Sequence, residues 1–63
     1  MIKVFCLDDR SEYWFSAVSG FDAVNKMLCY LNLKHLDGNA SINLRNDRTW
    51  ELVHNGNTYA CLA

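Results

Sequence analysis

The clearest pattern in the chain is a stripe of apolar residues at helical spacing between residues 19 and 33. Ser19, at its start, can accept a hydrogen bond from an amide of the first turn, and Asp22 lies where the helix dipole favours a carboxylate. We therefore predict an amphipathic helix over 19–33, ending at Asn32 or continuing towards His35. The stripe recurs every three or four positions and consists of Phe21, Val24, Met27, Leu28 and Leu31.

Most of the remaining apolar residues alternate with polar ones, which is the period of β-strands. Asn55-Gly56 is the strongest hairpin signal, and a type I′ turn there sets Leu52 opposite Tyr59. The order β-β-α-β-β-β predicts a single small α+β domain over 1–63, with one helix on one face of a mostly antiparallel sheet. The predicted strands cover residues 2–7, 12–18, 41–45, 49–54 and 57–62.

The first hairpin is interpreted with a two-residue loop at Asp9-Arg10. This loop sets Phe5 opposite Trp14 on one face. A slip of one residue would exchange the two faces, so the register depends on the loop length. Further turns are predicted at 37–39 and 46–48, where Asp, Asn and Gly tolerate positive φ.

The predicted core joins the helical stripe to the strand residues that alternate towards it. It consists of Val4, Cys6, Tyr13, Phe15, Val24, Met27, Leu28, Leu31, Ile42, Leu44, Trp50, Leu52 and Tyr59.

Length and composition predict a small protein outside the secretory pathway. A chain of 63 residues is expected to bury only about 60% of its unfolded surface, so oligomerisation, a metal or disulfides would help it. No apolar stretch approaches the roughly 18 residues of a membrane span, and no basic segment precedes an apolar one at the N-terminus. Cys6, Cys29 and Cys61 are odd in number and lie in separate elements, which favours reduced thiols and a cytoplasmic location.

One helix covers only one face of a sheet, so the opposite face of the first hairpin is the candidate functional surface. This face carries Phe5, Leu7, Trp14 and Val18. An exposed apolar patch is unusual on a monomer, and Trp and Phe are frequent anchors of protein interfaces. We predict stoichiometric protein binding and self-association, with a dimer as the first expectation. The other interpretation is that the register is off by one, or that the termini and the 33–40 loop cover these residues.

A second hypothesis uses the same rings to stack the bases of single-stranded nucleic acid, with Arg10, Arg45 and Arg48 on phosphates. Neighbouring carboxylates largely cancel these cations, and the net charge of −1 supplies no long-range attraction. A third hypothesis is a structural subunit of a larger assembly. Compact binding proteins of this size are often accessory or inhibitory factors of phages and mobile elements.

Catalytic and cofactor motifs are absent from the sequence. There is no nucleophile elbow and no phosphate-binding loop, and a chain this short has little volume for a pocket. The possible metal ligands lack paired spacing, and the histidines fall near element ends where solvent would satisfy them. We therefore expect no enzyme activity, no cofactor and no metal. These possible ligands are Cys6, Cys29, His35, His54 and Cys61.

Overall fold

The computed structural model describes residues 1–34, 39–45 and 47–62. Within these residues the strands form one antiparallel sheet in the order β2-β1-β5-β4-β3, and the helix packs on one face of it. The predicted α+β fold and its β-β-α-β-β-β order are confirmed. The elements are β1 (Ile2–Cys6), β2 (Glu12–Phe15), α1 (Gly20–Lys34), β3 (Ala40–Leu44), β4 (Thr49–His54) and β5 (Asn57–Leu62). Residues 35–38 and Asn46, within two of the predicted turns, lie outside the described residues.

The predicted N-terminal cap of α1 is present. The Ser19 hydroxyl accepts a hydrogen bond from the Asp22 amide at 3.1 Å, and the Asp22 carboxylate accepts one from the Val18 amide, also at 3.1 Å. The bond from Val18, together with nearby Lys26, holds the pKa of Asp22 below its ordinary value. The return bond thus reaches one residue further back than in the usual capping box.

The core lies between α1 and the sheet, largely as predicted, but one predicted core residue, Leu44, and one residue of the helical stripe, Phe21, are exposed. Leu44 is 56% exposed at the sheet edge, and Phe21 is 46% exposed. The buried side of the helix is centred on Ala23, Val24 and Met27, so Phe21 lies at its margin, with its ring 4.8 Å from that of Trp50. The fully or nearly buried apolar residues of the core cluster are Val4, Cys6, Ala23, Val24, Met27, Leu31, Leu52, Tyr59 and Cys61.

The β4–β5 hairpin has the predicted register. Leu52 is opposite Tyr59, and the turn residues Asn55 and Gly56 have φ values of 50° and 84°. Positive φ at both central positions is the requirement of a type I′ turn.

The predicted register of the β1–β2 hairpin is wrong by two residues. Trp14 lies opposite Lys3, and Phe5 lies opposite Glu12. The turn is longer than predicted and spans residues 7–11, because Asp9 accepts two hydrogen bonds from Ser11 and the backbone at Arg10 has a φ of 64°. Since a shift of two leaves the alternation unchanged, the side chains of Ile2–Cys6 and Glu12–Phe15 keep their predicted faces, whereas Leu7 and Val18 lie beyond the strands.

Candidate binding face

The surface turned away from α1, here called the second face, has no covering element among the described residues. It carries Lys3 and Phe5 of β1 together with Glu12 and Trp14 of β2. The Trp14 side chain is 57% exposed, whereas Phe5 is half-buried. An indole exposed to this extent on a sheet surface is available for contact with another molecule.

The two other predicted site residues lie just outside the strands. Leu7 is in the turn after β1 and is 48% exposed, and Val18 precedes α1 and is 93% exposed. Each borders an open hollow that Phe5 also lines. One hollow of about 410 Å³ is lined by Phe5 and Val18 among others, and one of about 340 Å³ is lined by Phe5, Leu7 and Arg10 among others. The structure thus places Leu7 and Val18 each in a hollow with Phe5.

Lys3 lies between the two aromatic rings of the second face. Its Nζ is 6.0 Å from the Phe5 ring centre and 5.8 Å from the Trp14 ring centre, distances at which a cation is attracted to an aromatic face. The same ammonium is 3.7 Å from the Glu12 carboxylate. The patch is therefore amphipathic: two rings surround an ion pair, a feature that sequence reasoning missed because it follows from the shifted register.

The arginines of the nucleic-acid hypothesis are not brought together. Arg10 borders the same hollow as Phe5, but Arg45 and Arg48 follow β3, at the opposite edge of the sheet. Arg45 is also 3.9 Å from the Glu51 carboxylate. Because Lys3 and Arg45 are each paired with a carboxylate, and Arg10 is separated from Arg48 by the width of the sheet, the described surface lacks the continuous basic track that follows a phosphate backbone.

The chemistry of the thiols follows from burial. Cys6 and Cys61 are buried and Cys29 is exposed on α1, and none of the three forms a disulfide. Burial raises the pKa of the Cys61 thiol, which disfavours the reactive thiolate. Among the described residues, no three His, Cys, Asp or Glu side chains converge as metal ligands, and His35 lies outside these residues.

The expectation that solvent satisfies His54 is wrong. Its side chain points to the helix side of the sheet and is only 2% exposed. The ring Nε2 lies 3.4 Å from the Asn32 side-chain oxygen of α1. His54 therefore forms a polar contact between the helix and the sheet. The alternation of β4 could have indicated this, because His54 lies two residues after the buried Leu52 and so shares its face.

No known protein family, curated protein or solved structure matches this chain significantly. Over the described residues, no helix has the length and apolar character needed to cross a membrane.

Proposed function

We propose that the protein is a non-enzymatic binding module that contacts another protein through the second face, and that a second copy of the chain is its first partner. The observation that carries this proposal is the exposure of 57% of the Trp14 side chain on a sheet face that no described element covers. Trp is among the residues most enriched at the energetic centres of protein interfaces.

The surroundings of Trp14 support protein binding over nucleic-acid binding. Phe5 lies near the same Lys3 ammonium as Trp14 and shares a hollow with Leu7, while the Lys3–Glu12 pair adds one positive and one negative group without net charge. A neutral patch with aromatic anchors and a balanced polar rim is typical of protein interfaces. A nucleic-acid site would instead need unpaired cations in line with the rings.

A non-catalytic, cytoplasmic role as an accessory or inhibitory factor is part of the proposal. The hollows on the described surface are open to solvent, and the charged residues that line them, Lys3, Arg10 and Glu12, are exposed. Reduced Cys6 and Cys61 in the core are suited to a reducing compartment.

Analytical ultracentrifugation of the wild type and two matched variants tests the proposal. Leu44 is a suitable control for Trp14 because both are on edge strands and are 56% and 57% exposed. We expect the wild type to dimerise between about 10 µM and 1 mM, the range of a small interface. Trp14→Glu should be monomeric and folded over this range, whereas Leu44→Glu should dimerise like the wild type.

Two results would overturn the proposal. A wild type that stays monomeric up to about 1 mM would remove self-association, since a weaker contact has no role at cellular concentrations. Equal dimerisation of wild type and Trp14→Glu would show that the contact lies elsewhere on the molecule.

A further inference from the structure

We infer that the contact is an antiparallel pairing of β2 with the β2 of a second copy, with Glu12 opposite the partner's Trp14. This inference rests on the proposed function and places its interface at the β2 edge of the second face, where Glu12 and Trp14 lie. The pairing would join the two five-stranded sheets edge to edge across a two-fold axis.

The hydrogen bonds of β1 fix which backbone groups of β2 point outward. The Cys6 amide donates to the Ser11 carbonyl at 2.9 Å, whereas the Leu7 amide donates to Thr58 of β5 at 2.8 Å. Backbone groups of successive residues in a strand point to opposite sides. By this alternation Ser11, Tyr13 and Phe15 direct their N–H and C=O groups towards β1. Glu12 and Trp14 direct theirs away from the sheet.

The open part of this edge is short and is closed at one end. β2 is an edge strand, so no described strand pairs with the outward groups of Glu12 and Trp14. Beyond it, the carbonyl of Ser16 already accepts a hydrogen bond from the Lys26 ammonium. Two N–H and two C=O groups therefore remain for a partner.

The outward backbone groups of Glu12 and Trp14 are complementary to the same groups of a second copy in one register. When Glu12 lies opposite the partner's Trp14, and Trp14 opposite the partner's Glu12, the two strands form four backbone hydrogen bonds. A register shifted one way would set the two Glu12 carboxylates opposite each other, which is unfavourable. A register shifted the other way would pair Glu12 with the partner's Ser16, whose carbonyl is engaged with the lysine.

The side chains also suit this register. Glu12 would border the partner's Trp14, whose ring has the partner's Lys3 on its far side, so a carboxylate and an ammonium would enclose one indole. On the helix side, Tyr13 would meet the partner's Tyr13. A hollow of about 320 Å³ borders the edge there and is lined by Tyr13, Phe15 and Tyr30 among others. Three consecutive aromatic residues give this short edge a large contact area.

The opposite edge supplies an internal control. The Arg45 amide donates to Thr49 of β4 at 2.8 Å, so by the same alternation Ile42 and Leu44 direct their N–H groups outward from β3. Within the part of the chain that the structure describes, both edges therefore present unpaired amides in the monomer, and the inference predicts that only those of β2 become protected on dimerisation.

Amide hydrogen exchange of the wild type, followed by NMR at about 20 µM and about 1 mM, tests the pairing. The Glu12 and Trp14 amides should exchange about two- to sixfold more slowly at the higher concentration, because dimerisation places them in hydrogen bonds and the monomer fraction falls by about that factor for a dissociation constant between about 1 mM and 10 µM. The Ile42 and Leu44 amides should not change. Protection of the β3 amides, or of neither edge, would overturn the inference.

Replacement of one backbone donor provides a second test. Glu12→Pro removes the outward N–H and the carboxylate, whereas Glu12→Ala removes only the carboxylate, and proline is tolerated where an edge N–H faces solvent. We expect Glu12→Pro to weaken the dimer at least about tenfold more than Glu12→Ala does. Equal effects, combined with loss of dimer in Trp14→Glu, would leave the proposed function standing but refute the strand pairing. A monomeric wild type would refute both.

Discussion

The Asp8 side chain links the β1–β2 hairpin to β5, and its removal should measurably destabilise the protein at this connection. Among the described residues, the β1–β2 hairpin meets β5 along a seam where Phe5 pairs with Ala60 and Cys6 with Tyr59, and where the Leu7 amide donates to the Thr58 carbonyl at 2.8 Å. Beyond these pairs, the Asp8 carboxylate accepts a hydrogen bond from the Thr58 amide at 2.7 Å. The side chain thus takes the place of a strand carbonyl where β1 has already turned away.

The magnitude of the effect follows from the kind of bond. A hydrogen bond to a charged group contributes about 1.5–3 kcal/mol, and exposure at the surface reduces this to about 1–2 kcal/mol. A domain of 63 residues has a total stability of about 3–9 kcal/mol. At about 4–8 °C per kcal/mol for a chain of this size, Asp8→Ala should lower Tm by about 4–16 °C.

Thermal unfolding followed by circular dichroism gives Tm, and amide exchange of Thr58 gives the local effect. Asp9→Ala is the matched control, because Asp9 lies in the same turn and carries the same charge, but its carboxylate accepts hydrogen bonds from Ser11 within the turn, whereas that of Asp8 accepts one from Thr58 of β5. Asp8→Ala should accelerate exchange at Thr58, and Asp9→Ala should not. An unchanged Tm in Asp8→Ala, or equal Thr58 exchange in the two variants, would refute this account of the seam.

Three further predictions concern the thiols, one turn and alkaline pH. DTNB should modify Cys29 in the native protein and reach Cys6 and Cys61 only after unfolding, since Cys29 alone is exposed; fast reaction of a buried thiol would contradict this. Gly56→Ala should destabilise the protein by about 1–2 kcal/mol in urea unfolding, because φ is 84° although the space around it is open; an unchanged midpoint would contradict it. Burial raises the pKa of Cys61 and of Tyr59 above their ordinary values of 9.0 and 10.0, so the unfolded chain loses these protons first. Urea stability should therefore fall as pH rises above about 9, and constant stability to pH 10.5 would argue against it.

The parts of the fold that the sequence predicts are those controlled by local geometry. Asn55-Gly56 supports two consecutive positive φ angles, and this two-residue turn fixes the β4–β5 register. The predicted cap at Ser19 sets the start of α1 for a similar reason, because one hydroxyl satisfies one orphan amide.

The first hairpin shows where local geometry is ambiguous. The segment 7–11 holds two aspartates, an arginine and a serine, all acceptable in turns of several lengths. Asp9 selects the longer turn through its bonds to Ser11, and Asp8 is drawn to Thr58, fifty positions away. No pattern within the hairpin indicates the second contact, because it depends on β5 lying beside β1.

The same distinction separates what is predictable about the binding face from what is not. Parity along a strand decides which side chains share a face and which backbone groups point outward, and a shift of two residues changes neither. The outward direction of the Glu12 and Trp14 amides therefore follows from either register, so the proposed edge pairing does not depend on the shift. The neighbours across the hairpin do depend on it. The observed register sets Lys3 opposite Trp14 instead of Phe5, which turns an expected apolar patch into rings around a neutral ion pair. That change disfavours phosphate contacts and places an ammonium beside the indole that Glu12 of a second copy would border.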